Sequence, residues 1–187
     1  MLREERELGV AAERLIVFTG RLSPEKRADD LIRAYERLRS SFPDVALAVI
    51  GSGREEEKLR TLAGGNVIFP GVVDDTAPWL RAADVFVLPS DTEGMSNALL
   101  EAMACGLPCV ASEVGAARDL VGEDEAGLLF EAGDEQALEA ALARMLKDEA
   151  FAEAAGRAAR KTAVDAFSLD SVADRLIAQY RELAGHG

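Results

Sequence analysis

Short apolar runs alternate with stretches of helical spacing along most of this 187-residue chain, and that alternation constrains the fold more than any other feature. Residues 15–19, Leu-Ile-Val-Phe-Thr, form an apolar run that ends at Gly20-Arg21. A continuous run of this kind suits a strand buried on both faces. Similar runs occupy 45–50, closed by Gly51-Ser52-Gly53, then 66–69, 85–88, 109–111 and 127–130. Between them, 25–40 has helical spacing, with Leu31, Ala34, Tyr35 and Leu38 on one face. Shorter helices are expected at 55–62, 77–83 and 97–105. From Asp134 onward the chain reads as three helices, 134–147, 149–166 and 169–184, with Asp134 and Ser168 as N-caps. The pattern predicts an α/β fold: a doubly wound parallel six-stranded sheet, right-handed crossovers and extra C-terminal helices. Ligands of such sheets bind outside the carboxyl ends of the strands, so function is sought in the loops that follow each strand.

The charge balance narrows the ligand. There are 21 basic and 34 acidic residues, a net charge of −13. Nucleic-acid binders draw most of their affinity from neutralising phosphates, and no dense Lys/Arg cluster exists here to do so. An anionic membrane is disfavoured for the same reason. An anionic small ligand needs positive charge gathered at one site. No apolar run approaches the roughly 18 residues that span a bilayer, and Met1 to Arg14 is charged, without the apolar stretch of a secretory signal. A cytoplasmic location is expected, with attachment to the inner face of a membrane only through a further domain. Cys105 and Cys109, four apart, read as small buried apolar residues rather than a disulfide or metal pair. The single histidine, His186, is second from the end, so no His-based triad or metal cluster can be built.

Four loops carry candidate chemistry. Gly20-Arg21-Leu22-Ser23-Pro24-Glu25-Lys26 follows the first strand directly. Gly20 lets backbone approach a ligand, and Lys26 is expected near the start of a helix whose N-terminus favours anions. Arg21, a fork, and Lys26, a point charge, would make a diphosphate clamp. The competing reading is a solvated loop with Lys26 paired to Glu25 or Asp29. The segment from Glu93 through Gly94, Met95, Ser96 and Asn97 to Glu101 follows the strand at 85–88. Ser96 or Asn97 would cap the next helix, leaving first-turn amides free for an anion or sugar hydroxyls. Glu101 lies one turn after Asn97 and could accept a diol, and Glu93 could reach a sugar. The alternative makes Glu101 a surface helix residue and Glu93 a turn residue.

Gly51-Ser52-Gly53 is weak evidence alone. It does not match the dinucleotide fingerprint, and the phosphate-loop lysine motif is absent, which counts against NAD-dependent and ATPase readings. Val72 and Val73, in Phe69-Pro70-Gly71-Val72-Val73, could flank a base or form a plain turn. Asp74-Asp75 and Asp91 read as caps and surface charge; there is no Asp-x-Asp, and no metal site is expected.

These segments, in this order, resemble the donor domain of the family 4 glycosyltransferases. The match runs through Gly20-Arg21-Leu22 with Lys26, Gly51-Ser52-Gly53, Ala83 to Ser90, and Glu93-Gly94 to Glu101-Ala102-Met103-Ala104-Cys105-Gly106-Leu107-Pro108. The two glutamates have seven residues between them, as the family motif requires. The resemblance covers about 13 to 184. It implies half of a GT-B fold and a UDP-, GDP- or ADP-sugar as donor substrate, with retention of configuration and neither cofactor nor metal. By position, Arg21 and Lys26 neutralise the departing diphosphate, Glu101 binds the ribose hydroxyls and Glu93 contacts the donor sugar. Gly94, Met95, Ser96 and Asn97 form the loop whose amides hold sugar and phosphate.

Two departures matter. The family's Gly-Gly-x-Pro-Glu loop reads Gly115-Ala116-Ala117-Arg118-Asp119 here. The family also has an N-terminal acceptor domain, of which 1–14 resembles only the linker; 15–168 resembles the donor domain, and 169–187 a segment that crosses back. A missing acceptor domain or separate acceptor chain is therefore the expected partner. The apolar residues Leu8, Val10, Leu169, Val172, Leu176, Ile177 and Tyr180 predict weak homodimerisation in its absence. Alternative readings are an inactive binding or interaction module and a nucleotide-sugar epimerase.

Overall fold

The fold was obtained as a computed structural model, which describes Leu8, Val10, residues 12–122 and residues 125–184. His186 lies outside the described residues.

Six strands form one parallel sheet: β1 (Arg14–Thr19), β2 (Val45–Ile50), β3 (Val67–Gly71), β4 (Val85–Leu88), β5 (Cys109–Ser112) and β6 (Gly127–Phe130). Their order is β3-β2-β1-β4-β5-β6. The order reverses at β1, which lies between β2 and β4, so a crevice opens above the carboxyl ends of these strands. The helices are α1 (Ala28–Leu38), α2 (Glu56–Leu62), α3 (Ala77–Ala82), α4 (Asn97–Ala104), α5 (Ala117–Val121), α6 (Glu135–Lys147), α7 (Glu149–Phe167) and α8 (Leu169–Ala184).

The strands are apolar throughout because both faces are covered. Ile16, Phe18, Leu47, Val49, Val85 and Val87 pack with Leu31 and Tyr35 of α1 and Leu138 and Leu142 of α6. The alternate residues Leu15, Val17, Phe86 and Leu88 pack with Trp79, Leu99, Met103 and Ala159 on the other face. Asp134 caps α6 by accepting from the amides of Gln136 and Ala137, at 3.0 and 2.9 Å. Ser168 accepts from the Ser171 amide at 3.2 Å at the head of α8.

Four expectations are corrected. The helix expected over 25–40 is two pieces: a 3-10 turn at Pro24–Lys26, then α1 from Ala28. Arg27 separates them with a left-handed φ of 50°, tied by ion pairs to Asp30 and Asp91. Second, α5 was not foreseen, because its five residues are too few for a helical period to show. Third, Leu8 and Val10 do not join an exposed patch; both pack on the Leu15 side of the core. Leu169, Val172, Leu176, Ile177 and Tyr180 do stand exposed on α8. Fourth, Cys109 is buried as expected but Cys105 only half so; burial pushes both thiols up.

Candidate functional site

The loop after β1 rests on the loop after β2. Gly20 N donates to Ile50 O at 3.0 Å, Leu22 N to Ser52 O at 2.9 Å, and Glu55 N to Leu22 O at 3.0 Å. Contact this close leaves no room for side chains. A Cβ on Gly51 would sit 1.9 Å from Gly20 O, and one on Gly53 would sit 2.2 Å from Leu22 O. The Gly-Ser-Gly sequence is therefore a backbone seat for the Gly20–Leu22 loop.

A cleft of about 340 Å³ opens at the carboxyl ends of β1, β2 and β3. Gly20, Arg21, Gly51, Val72 and Val73 line it, joined by Thr19 and Thr76, which sequence reasoning missed. Gly53 is not among its lining residues. Arg21 is exposed and makes no side-chain hydrogen bond or ion pair among the described residues. The Thr19 hydroxyl is buried without a hydrogen-bond partner among the described residues.

Lys26 pairs with neither Glu25 nor Asp29. Its Nζ lies 2.6 Å from Oε1 of Glu93, in the loop after β4. Glu25 instead accepts from the Ser23 hydroxyl at 2.6 Å, which holds its carboxyl below the usual range. Asp29 is taken by Arg33 and Lys58. Because Arg27 interrupts the helix, Lys26 stands in the 3-10 turn, not at the head of α1. Two further contacts fasten this turn to the β4 loop: Asp91 N donates to Glu25 O at 2.8 Å, and Arg27 Nε lies 3.5 Å from Asp91 Oδ1. Arg27 also pairs with Asp30, whose carboxyl is pushed up by burial despite that partner and Arg33.

Glu93 Oε1 also accepts from the Ser90 hydroxyl at 2.7 Å. Ser90 is fully buried, and its carbonyl accepts from Ser112 Oγ at 2.5 Å. Beyond Glu93, Gly94 and Met95 are exposed, Ser96 caps α4 by accepting from Leu99 N at 3.3 Å, and Asn97 opens the helix. The amides of Asn97 and Ala98, in the first turn of α4, precede the first intrahelical bond. Glu101 is exposed, and its Oε2 accepts from Thr76 Oγ1 at 3.1 Å, which ties α4 to the rim of the cleft.

The loop after β5, where the sequence departs from the family pattern, keeps one feature that the site needs. Gly115 has φ 54°, and a Cβ there would sit 2.2 Å from Glu93 O. Ala116 N donates to Gly94 O at 3.0 Å. The β5 loop thus backs the Glu93-Gly94 segment through main chain alone.

A larger recess, about 610 Å³, lies at the opposite, amino ends of the strands. Its charged lining is mainly carboxylate: Glu13, Asp44, Asp84, Glu149 and Glu153. Its one cation, Arg14, is bound to Asp44 at 2.7 Å and to Leu146 O at 2.7 Å. Size favours that recess for a ligand, but charge does not favour it for an anionic one. Among the described residues, no three His, Cys, Asp or Glu side chains gather into a set that would hold a metal ion, and no helix is long and apolar enough to cross a membrane.

The loops that carry Arg21, Lys26, Glu93 and Glu101 follow β1 and β4, the strands at which the order of the open parallel sheet reverses and outside whose carboxyl ends ligands of such sheets bind. The chain belongs to the family Glycosyl transferases group 1, whose profile matches residues 13–148. The GDP-mannose-dependent alpha-(1-6)-phosphatidylinositol monomannoside mannosyltransferase of Mycolicibacterium smegmatis is 35% identical over 177 residues, covering 87% of this chain and 46% of the relative. The chain thus spans about half the length of the curated relatives it matches. The Anabaena protein HepE, solved in complex with UDP, superposes with a TM-score of 0.86 at 25% identity, over 95% of this chain and 51% of that one. The C-terminal domain of a glycosyl transferase group 1 protein from Francisella tularensis superposes with a TM-score of 0.80 at 23% identity, over 89% and 92%. That last likeness is one of fold, and it covers nearly all of a domain solved alone. Both the family resemblance and the sheet architecture expected from the sequence hold.

Proposed function

We propose that this chain is the donor-binding half of a retaining glycosyltransferase. Its cleft takes a nucleoside diphosphate sugar, and a further domain or chain holds the acceptor. The carrying observation is Arg21, a cation that makes no side-chain hydrogen bond or ion pair among the described residues of an acidic protein, at the mouth of a cleft on the switch-point strands. The HepE complex with UDP and the GDP-mannose-dependent relative support a nucleotide sugar as ligand.

In this reading the diphosphate lies between Arg21 and Lys26. Their charges stabilise the negative charge that builds on the leaving phosphate, the main electrostatic task of the reaction. The ribose diol bonds to Glu101, the base lies along Val72 and Val73, and the sugar reaches Glu93 and the amides of 94–97. Two cations at the phosphates make a metal unnecessary. Division of the chain into linker (1–14), donor domain (15–168) and crossing-back helix (169–187) belongs to the same proposal, as does a cytoplasmic site of action. Without an acceptor held in place, transfer by this half alone is slow, since positioning accounts for several kcal/mol of barrier.

The test is a thermal-shift panel with UDP, GDP, ADP and their common sugar conjugates on the wild type and Arg21→Ala. A ligand at 100 times its dissociation constant adds about 2.7 kcal/mol, a shift of roughly 5–10 °C for a chain of this size. A shift with one nucleotide family, lost in Arg21→Ala, is the expected result. No shift with any compound overturns the proposal.

A further inference from the structure

We propose that Ser90, braced by Ser112, is the residue that positions Glu93 once a bound diphosphate has drawn Lys26 away; the inference rests on the donor-site reading above. Glu93 Oε1 has two donors, Lys26 Nζ at 2.6 Å and Ser90 Oγ at 2.7 Å. Its Oε2 has none among the described residues, so that oxygen is the one open to a sugar hydroxyl. The two donors differ in what a ligand does to them. A diphosphate competes directly for the ammonium of Lys26. It has no such claim on Ser90, which is fully buried. When Lys26 turns to the phosphates, Ser90 is the tether that remains on the carboxylate.

Ser90 can serve only if its own backbone is fixed where β4 has ended. The last β4–β5 register pair is Leu88 with Ala111. One residue further on, Ser112 is also fully buried and spans the gap with its side chain. Its Oγ reaches Ser90 O at 2.5 Å and Leu88 O at 3.3 Å. Burying two hydroxyls in succession is tolerable because both are bonded. The result is a chain from sheet to site: β5 fixes the backbone of the β4 loop, and that loop's hydroxyl holds Glu93 with Oε2 free. Ser90 is a positioning residue here, since it acts on the sugar through Glu93.

This arrangement separates two affinities. The nucleoside diphosphate meets Arg21, Lys26 and Glu101, none of which Ser90 contacts. The sugar meets Glu93. Calorimetric titration of the full 187-residue chain with UDP, GDP and ADP, and with UDP-glucose, GDP-mannose and ADP-glucose, measures both terms. In Ser90→Ala the nucleoside diphosphate binds as in wild type. The extra affinity brought by the sugar falls about tenfold, the loss of one hydrogen bond to a charged group. Ser90→Thr, which keeps the hydroxyl, restores it, and Ser112→Ala loses part of it. Melting curves of the free variants show that each is folded, and Ser112→Ala carries the test if Ser90→Ala is not.

Retention of the full sugar increment in Ser90→Ala overturns the inference. So does an equal loss of nucleotide and sugar-conjugate affinity, which is the mark of a merely structural serine, or a wild type that gains nothing from the sugar. A wild type that binds none of the six compounds overturns the donor-site reading, and this inference with it.

Discussion

Lys26 Nζ and Glu93 Oε1, 67 positions apart in sequence, meet at 2.6 Å and join the turn after β1 to the loop after β4. The residues proposed for phosphate and for sugar thus hold each other in the free protein. Both are largely shielded, with 23% and 11% of their side chains exposed. A nucleotide bound as proposed breaks or shares this pair.

Glu93→Gln is therefore expected to tighten binding of the nucleoside diphosphate while weakening that of the sugar conjugate. An ion pair of this kind is worth about 1 kcal/mol, so the gain is about fivefold. Lys26→Met is expected to weaken both ligands by at least about tenfold, through loss of a charge-assisted contact. Titration calorimetry decides. Weaker nucleotide binding in Glu93→Gln would show that the pair does not compete with the ligand.

Thr19 ends β1 with its hydroxyl buried and unpartnered among the described residues. An unsatisfied buried hydroxyl costs about 1–3 kcal/mol. Thr19→Val keeps the shape, suits a strand and removes the orphan group. A rise in melting temperature of a few degrees is expected, corresponding to about 1 kcal/mol. An unchanged or lower melting point would mean that the hydroxyl finds a partner in solution.

Tyr35 of α1 donates its hydroxyl to Val45 O at 2.8 Å, and burial pushes its phenol up to about 12. The folded value lies above the ordinary value of about 10, so the folded state keeps the proton longer. The stability this contributes is complete below about pH 10 and is lost between about pH 10 and 12, to the extent of about 2–3 kcal/mol. Tyr35→Phe is expected to cost about 1 kcal/mol at neutral pH for the lost hydrogen bond. Denaturation of both proteins across pH 9–12 should show their difference closing and then reversing as pH rises. A constant difference would contradict it.

The outer face of α8 bears Leu169, Leu176, Ile177, Tyr180 and Leu183, with Leu169 89% and Leu183 75% exposed. Apolar faces of this extent favour association when nothing covers them. Light scattering at rising concentration should show a growing dimer fraction, reduced in Leu176→Glu/Tyr180→Glu without a fall in melting temperature. A monomeric mass throughout would contradict it.

Much of the fold could be read before any coordinates. Runs such as Val45–Ile50 are apolar at every position because helices cover both sheet faces, and that is visible as composition. The caps Asp134 and Ser168 were legible because capping is a contact with the next turn of the same chain. The errors fell where a local pattern is broken by a distant partner or is too short to show. Arg27 splits the expected helix while tied to Asp91, and α5 spans barely more than one turn.

The sequence by itself determined the class of sheet and put Arg21, Lys26, Glu93 and Glu101 in or just after the loops that follow its strands, because each of these rests on local periodicity or spacing. Only the tertiary structure decided that Lys26 is held by Glu93, that Ser90 and Ser112 stand beneath that pair, and that Thr76 reaches Glu101. These are contacts between loops after different strands. They exist because β1 lies beside β4 and β4 beside β5, and strand order is set by the packing of the whole sheet, which no local pattern of residues encodes.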